Sequence, residues 1–536
     1  MPKEAQVYLG LYKMNKKLFK VAGFVGLIIL VSKIFGLLRD LVIAHVYGTS
    51  ITADAYNFAY LLTGNVLVLI GGLGGPFHTA TITILTRIKD NAKQSGSFLI
   101  KIFFITFLIL SLITGIVLLF KEQIIQLIVP ASGLAGEYRE KLWTLTSEQL
   151  IIMSPLIIIS GLLGILCGVA NIYGGYFWPS FGPSLPSIAI IICVLSFNNP
   201  ESGFALAFGT LIGALLQLLV QFPCVLKAAL FENLKFVIVE KQKALGEFGQ
   251  FIGPALLSTT IGQFTVYIDG FFCSGLPEGS WTATVFANRL IQLPLGILVT
   301  AFLVPFFPRF SELAHSKNLE GLKQTSIIVI KSLWFLTLPI AVYLFLFAKP
   351  VVETLFQRGA FDERSTMLVS SILVALLLSM VAYVARDTLT RVFYSLGNSK
   401  IPLLVALFAI VLKIILNSFL VGKYQAPGIA FATSLVTLFN FLLLWILLRK
   451  EIGCLGIVKH IRGLLKIAVA AFVMYLLGLL SLSFFQGSFT DYNFFSKLIF
   501  VLTSFVVSFI IYFGLALTLR IEEAEKVFNL FKEKLS

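Results

Sequence analysis

The chain has 536 residues, 58% of them hydrophobic and only 12% charged, with a mean hydropathy of +0.95. Soluble domains carry about 25% charged residues, so this chain cannot cover a water-facing surface of its own size, and the composition predicts an integral membrane protein. The formal net charge of +15 raises nucleic acid as a partner, but the cations sit in loops between apolar runs, which fits membrane topology and argues against nucleic acid.

The N-terminus is basic. The apolar run after it is long and lacks a small-residue cleavage site, so it predicts a first transmembrane helix near 18–38 and no removable signal. Runs of about 20 apolar residues follow near 55–85, 98–120, 149–172, 183–197, 203–226, 247–270, 281–308, 327–348, 367–395, 401–421, 427–449, 462–484 and 494–519. The expected fold class is an all-α polytopic membrane protein with about 14 transmembrane helices. With both termini cytoplasmic, the outer segments hold only Arg39, Lys121, Arg139, Lys141, Lys349, Arg358, Arg364, Lys423 and Lys497 of the 41 Lys and Arg. The larger cytoplasmic share, including Lys16, Arg87, Lys241, Arg449 and Arg462, follows the positive-inside rule. From Arg520 the tail predicts a short amphipathic helix at the membrane surface.

Two pairs of spans resemble each other. "AYNFAYLL" (55–62) and "ATVFANRL" (283–290) share A-x-x-F-A-x-x-L at an offset of 228, and "GFALAFGTL" (203–211) pairs with "GIAFATSLV" (428–436) at 225. The fifth and eleventh spans each begin near a proline, Pro186 and Pro402. These offsets suggest two six-helix halves, a common plan for secondary transporters with the site between the halves. Chance similarity among Ala, Phe and Gly in greasy helices is the alternative.

A charge at a helix centre costs roughly 2.5–3.5 kcal/mol on insertion scales, so it is kept where it pairs or faces an aqueous cavity. Lys33 lies too deep to snorkel easily, which favours a cavity role. Arg39 and Asp40 lie further along, where anchoring and capping the helix end compete with a cavity role. Asp54 precedes "AYNF", where capping that helix is the better reading. Asp269 ends the seventh span, Arg289 sits one to two turns into the eighth, and Lys413 lies in the eleventh with Asn417 one turn on. His78, in "GGPFHTA", reads as a satisfied polar contact ahead of a proton relay. Cations outnumber anions in this core, and a positive cavity suits an anionic substrate such as a phosphate-bearing lipid headgroup.

The five cysteines form no CxxC pair, which predicts neither a disulfide framework nor a zinc site. The four histidines lack an HExxH spacing, and there is no GxxxxGK[ST] phosphate loop. No nucleophile–base or metal constellation appears, so no catalytic residue, metal or cofactor is expected.

At these charges the chain becomes similar to a known family. "SKIFGLLRDLVIAHVYGTSITADAYNFAYLL" resembles the opening of the MurJ (MviN) lipid II flippases. "IDGFFCSGLPEGSWTATVFANRLIQLPLGIL" resembles the family's seventh and eighth helices, and "LFQRGAFDE" (355–363) and "TRVFYSLGNSKIPL" (390–403) resemble two further signatures. The resemblance implies the fold of the MOP exporter superfamily: an N-terminal lobe over 1–230, a C-terminal lobe over 231–450, a central cavity, and two extra helices plus a tail over 451–536. It implies flipping of lipid II, the undecaprenyl-diphosphate-linked peptidoglycan precursor, to the outer leaflet of the bacterial cytoplasmic membrane. It also implies proteins of cell-wall synthesis as partners. Carried over, the substrate-binding residues are Lys33, Arg39, Asp40, Asp54 and Arg289.

The departures are specific. Lys33 keeps a charge but loses the guanidinium fork. "VLVLIGGLGGPF" (66–77) carries no charge where many members have arginines and an acid, the acidic position falling on Gly74; beside Arg289 the usual Asp is Asn288. Some members bind sodium at positions that fall on Asp269, Lys413, Asn417 and Thr433, and a Lys413 ammonium there would take the ion's place and pair with Asp269. The alternatives are a MOP exporter of another polyprenyl-diphosphate oligosaccharide or of a drug, and a non-transporting scaffold. A drug exporter should have an acid-lined cavity, against the basic bias here.

Overall fold

A computed structural model describes the chain except for residues 1–15, 72–74, 198–199, 228–242, 455–456, 486–492 and 536. Among the described residues, all regular structure is helical. This is what a bilayer demands, because helices satisfy their backbone groups internally. Eight stretches of the described residues, taken singly, are long and apolar enough to cross a membrane. The described residues of the predicted spans lie mainly on helix, several with other bounds.

The chain packs as two compact units. The first comprises residues 1–43, 55–128 and 137–260. It holds α1 (Lys16–Tyr47) up to Ile43, α2 (Ile51–Gly71) from Ala55, α3 (Pro76–Ile88), α4 (Ala92–Leu119), α5 (Lys121–Ile128), α6 (Gly136–Met153), α7 (Pro155–Ile172), α8 (Phe177–Phe181), α9 (Ser184–Ser196), α10 (Phe204–Lys227) and the first part of α11 (Lys243–Ser274). The stretch 55–85, predicted as one span, is two helices: α2 ends at Gly71, and α3 starts at Pro76, where a missing N–H costs nothing. Pro155 likewise opens α7, dividing the fourth span. The core of this unit joins Phe77, Phe98, Ile102, Ile165 and Phe248, with Phe98 and Phe248 edge to face at 5.8 Å. Gly164 of α7 permits the close approach of α3: a Cβ there would stand 2.8 Å from Phe77 Cβ, the small-residue contact typical of membrane helices.

The second unit comprises residues 44–54, 129–136 and 261–536. It holds the end of α11, then α12 (Ser280–Leu298), a π-helical turn (Val299–Leu303), α13 (Val304–His315), α14 (Leu319–Leu346), α15 (Ala348–Phe356), α16 (Glu363–Ser395), α17 (Lys400–Ile452), α18 (Ile457–Phe485), α19 (Phe494–Thr518) and α20 (Glu522–Leu535). The eighth predicted span, 281–308, is thus α12, the π turn and the start of α13. The eleventh and twelfth run on as the 53-residue α17, broken at Gln425 (φ 51°, ψ −137°). The predicted tail helix is present as α20. The division expected after residue 230 falls inside 228–242, outside the described residues.

Polar bonds hold α19 to its neighbours along its length. Lys497 meets Glu353 of α15 at 2.6 Å, the Tyr343 hydroxyl of α14 donates to the Val501 carbonyl at 2.7 Å, and the Tyr512 hydroxyl donates to the Phe335 carbonyl of α14 at 3.0 Å. The last bond has a local cause. Pro339 lies inside α14 and has no N–H, so the carbonyl four residues earlier, that of Phe335, loses its helical donor. Tyr512, 2% exposed, supplies it.

Candidate functional site: charges inside apolar helices

In the first unit, Arg39 and Asp40 lie on α1 and are buried, at 8% and 5% exposure. Neighbours in sequence do not face each other on a helix, yet here the guanidinium folds back. Its Nε donates to Asp40 Oδ1 at 2.9 Å and Nη2 donates to the same oxygen at 2.7 Å. The pair places a fork-shaped cation inside the apolar helix with its charge balanced by one carboxylate. Lys33, nearly two turns earlier on α1, is half-buried. His78 of α3 has its Nε2 2.7 Å from Asn171 Nδ2, the polar contact expected for it. The Gly74 position lies outside the described residues.

In the second unit, Asp54 does cap a helix, but not its own. It sits in the first turn of α2, and its carboxylate reaches the start of α12. Oδ2 accepts from Gly279 N at 2.7 Å, and Oδ1 accepts from Thr282 N at 2.8 Å and Thr282 Oγ1 at 2.7 Å. Gly279 occupies the N-cap of α12 with φ 84° and has no side chain to cap with. Asp54 therefore acts as the capping residue in trans. Glu278 returns the favour, its Oε1 accepting from Ile51 N at 2.7 Å. Two helix N-termini, each carrying partial positive charge, are thus held together by two carboxylates. The paired positions 54 and 282 are those related by the 228-residue sequence offset.

Arg289 lies on α12, nearly two turns past Thr282, half-buried beside Asn288, whose amide donates to the Thr284 carbonyl at 2.9 Å. The structure brings the four ion-coupling candidates together. Lys413 Nζ is 2.9 Å from Asp269 Oδ1 and donates to Thr433 Oγ1. Asn417 Nδ2 donates to Asp269 Oδ1 at 3.3 Å, while Asn417 Oδ1 is buried without a partner. Thr433 in turn donates to the Ile429 carbonyl. Lys413 is 1% exposed and Asn417 fully buried. Lys413 and Asn417 share a face because they are four apart, and the break at Gln425 folds the second half of α17 back so that Thr433 can reach Lys413. Asp269, Asn417 and Thr433 form an oxygen-rich nook with the ammonium at its centre.

Sequence reasoning passed over another buried cation. Lys331 of α14, 4% exposed, meets Glu522 at 3.0 Å and Glu523 at 3.2 Å. Gly463 of α18 leaves room for it: a Cβ there would lie 2.7 Å from Lys331 Cε. The available signal was a lone lysine in the apolar run "IIVIKSLWF".

Comparison with known proteins agrees with this architecture. The family model described as "Lipid II flippase MurJ" matches residues 43–501. A Synechocystis protein named probable lipid II flippase MurJ is 33% identical over 455 residues, covering 82% of this chain and 83% of its own. A namesake from Buchnera aphidicola subsp. Schizaphis graminum is 30% identical over 498 residues, covering 91% and 94%. Among solved structures, lipid II flippase MurJ in an inward closed conformation superposes with a TM-score of 0.75 at 24% identity, over 94% of this chain and 99% of that one. A multidrug-resistance MATE transporter of the MOP superfamily in an inward-facing conformation gives 0.60 at 15% identity, over 81% and 98%. These two likenesses speak for the fold. The family match over residues 43–501 and the two relatives speak for descent: this multi-pass membrane protein belongs to the MurJ lipid II flippase family.

Proposed function

We propose that this chain carries lipid II from the cytoplasmic to the outer leaflet of the bacterial inner membrane by alternating access. The observation that carries the reading is the family match over residues 43–501. The cations embedded in its apolar helices are its chemical support. In this reading both termini are cytoplasmic, the lobes span 1–230 and 231–450, and 451–536 adds two helices and a tail. No group need be made or broken: the protein binds, reorients and releases.

Lys33, Arg39 and Arg289 supply the contacts to the diphosphate, Arg through its fork and Lys as a point charge. The Asp40 carboxylate stands on the Arg39 guanidinium where a phosphate oxygen would otherwise sit, so it holds the fork in position and yields to the headgroup. Asp54 supports the site through α12, whose N-terminus it caps, and thereby orients the helix that carries Arg289. The membrane potential, negative inside, assists outward movement of the anionic lipid by about 2.3 kcal/mol per charge per 100 mV. Lys413 serves as a tethered cation in the Asp269–Asn417–Thr433 nook, so transport runs without sodium.

The test is complementation. In a host depleted of its own lipid II flippase, this chain restores lipid II at the outer leaflet, and Arg289→Ala, inserted at equal abundance, does not. Failure of the well-inserted wild-type chain would refute the lipid II assignment. Purified protein in liposomes moves fluorescent lipid II equally in sodium and choline buffers. Stimulation by sodium in the wild type would refute the tethered-cation role.

A further inference from the structure

The helix α16 contains neither glycine nor proline from Glu363 to Ser395, yet its hydrogen-bond ladder is invaded from outside at one place. The Ser434 hydroxyl of α17, fully buried, donates to the Ala375 carbonyl at 2.7 Å. The Ser434 hydroxyl oxygen also accepts from Ser379 N at 3.2 Å. Residues 375 and 379 are one i→i−4 step, so a foreign hydroxyl bridges the acceptor and the donor of a single helical bond. The Ser379 hydroxyl turns back to the Leu376 carbonyl, and Trp334 Nε1 of α14 donates to the Val381 carbonyl at 3.0 Å. Three carbonyls within seven residues therefore have side-chain donors, and side chains inserted in the ladder are among the few causes of helix bending.

Free volume lies beside the same stretch. A groove of about 450 Å³ takes Val374, Ala375, Leu377, Leu378 and Val381 from α16 among its lining. Close packing would freeze a bend; an open apolar groove leaves α16 room to move. The wedge is also adjacent in sequence to Thr433, which receives the bond from Lys413.

We infer that residues 375–381 of α16 form a hinge, propped by Ser434 and Trp334, whose setting is tied to the Lys413–Asp269 pair through the Thr433–Ser434 dipeptide. Ser434 and Trp334 are positioning residues: they touch helix backbone only. With the hydroxyl in place, the Ser379 amide is shared and opens easily. Without it, donor and acceptor are left to each other alone, and the ladder tightens.

Hydrogen exchange of the full chain in lipid nanodiscs tests this. Amides 379–385 in the wild type exchange at least about threefold faster than 388–393 of the same helix, the signature of a locally weaker ladder. Ser434→Ala slows them toward the flanking rate, Ser434→Thr keeps them fast, and Trp334→Phe slows Ala385. Lys413→Met combined with Asp269→Asn, which leaves no buried unpaired charge, shifts the rate in the same direction as Ser434→Ala. Thermal unfolding of each variant establishes that it is folded. Faster exchange in Ser434→Ala would overturn the hinge, since the hydroxyl would then be a plug and not a wedge. An unchanged rate in the doubly neutral variant would overturn the tie to the ion pair.

Discussion

The bond from Tyr512 to Phe335 offers a sharp test of how a bilayer protein manages a proline. Pro339 removes the helical donor to the Phe335 carbonyl, and the Tyr512 hydroxyl replaces it at 3.0 Å. Tyr512→Phe keeps the ring but orphans that carbonyl, which belongs to the 4%-exposed Phe335. Interhelical hydrogen bonds in membranes average about 0.6 kcal/mol, with a maximum near 1.7. An orphaned buried group costs about 1–3 kcal/mol. Since no water replaces the hydroxyl in an apolar interface, a loss of about 1–2 kcal/mol follows. In a Pro339→Ala background the new N–H of residue 339 serves the same carbonyl, so the hydroxyl becomes dispensable. Tyr512→Phe should then cost under about 0.5 kcal/mol, giving a coupling energy of about 1 kcal/mol between residues whose side chains need not touch. Equilibrium unfolding of the four proteins in bicelles measures the cycle. An equal loss in both backgrounds would show that the hydroxyl is not serving the carbonyl freed by Pro339.

Three further outcomes follow from the same kind of reasoning. Gly279→Ala forces a left-handed residue, at about 1–2 kcal/mol, and sets a Cβ 2.3 Å from the Thr49 carbonyl oxygen, so thermal unfolding should fall by several degrees; an unchanged midpoint refutes the need for glycine. Lys331→Met leaves the buried Glu523 carboxylate without its cation, a change of about 3–5 kcal/mol for fully buried pairs and less here because Glu522 is largely exposed. Limited proteolysis should release α20 from that variant but not from Lys331→Met combined with Glu522→Gln and Glu523→Gln, and equal protection of all three refutes the clasp. The Asp362 carboxyl caps α16, and bonds from the Ser365 hydroxyl and then its amide hold it below its ordinary range. A depressed folded value stabilises fully above the ordinary 3.8 and fades as pH falls through the lower folded value. Asp362→Asn should therefore flatten the acid limb of stability below about pH 4, and an unaltered limb refutes the assignment.

What was legible in the sequence divides along a physical line. Charges in apolar runs announce themselves, since each must find a partner or a cavity; Lys33, Arg39, Asp269 and Lys413 were found that way. Their partners are another matter. Asp54 carries a strong local capping signal, and the signal was true of its chemistry but pointed to the wrong helix. The N–H groups it satisfies are 225 and 228 residues away, where nothing local can see them. The assembly of Asp269, Lys413, Asn417 and Thr433 came from family resemblance; spacing alone joins only Lys413 to Asn417. Proline behaved likewise. Pro76 and Pro155 open helices, an effect contained within the chain's own next turn, so the breaks at 55–85 and 149–172 were readable had the prolines been weighted above the hydropathy. Pro339 creates a need that Tyr512 fills from another helix, and Ser434 intrudes on a ladder with no breaker of its own. Hydropathy averages over about 20 residues, and a single hydroxyl barely moves that average. In a bilayer one hydroxyl can nonetheless decide where a helix bends, because no water is present to satisfy the backbone instead. The features that distinguish one member of a transporter fold from another are therefore those that hydropathy resolves least, and they must be sought in the pairing of backbone groups across helices.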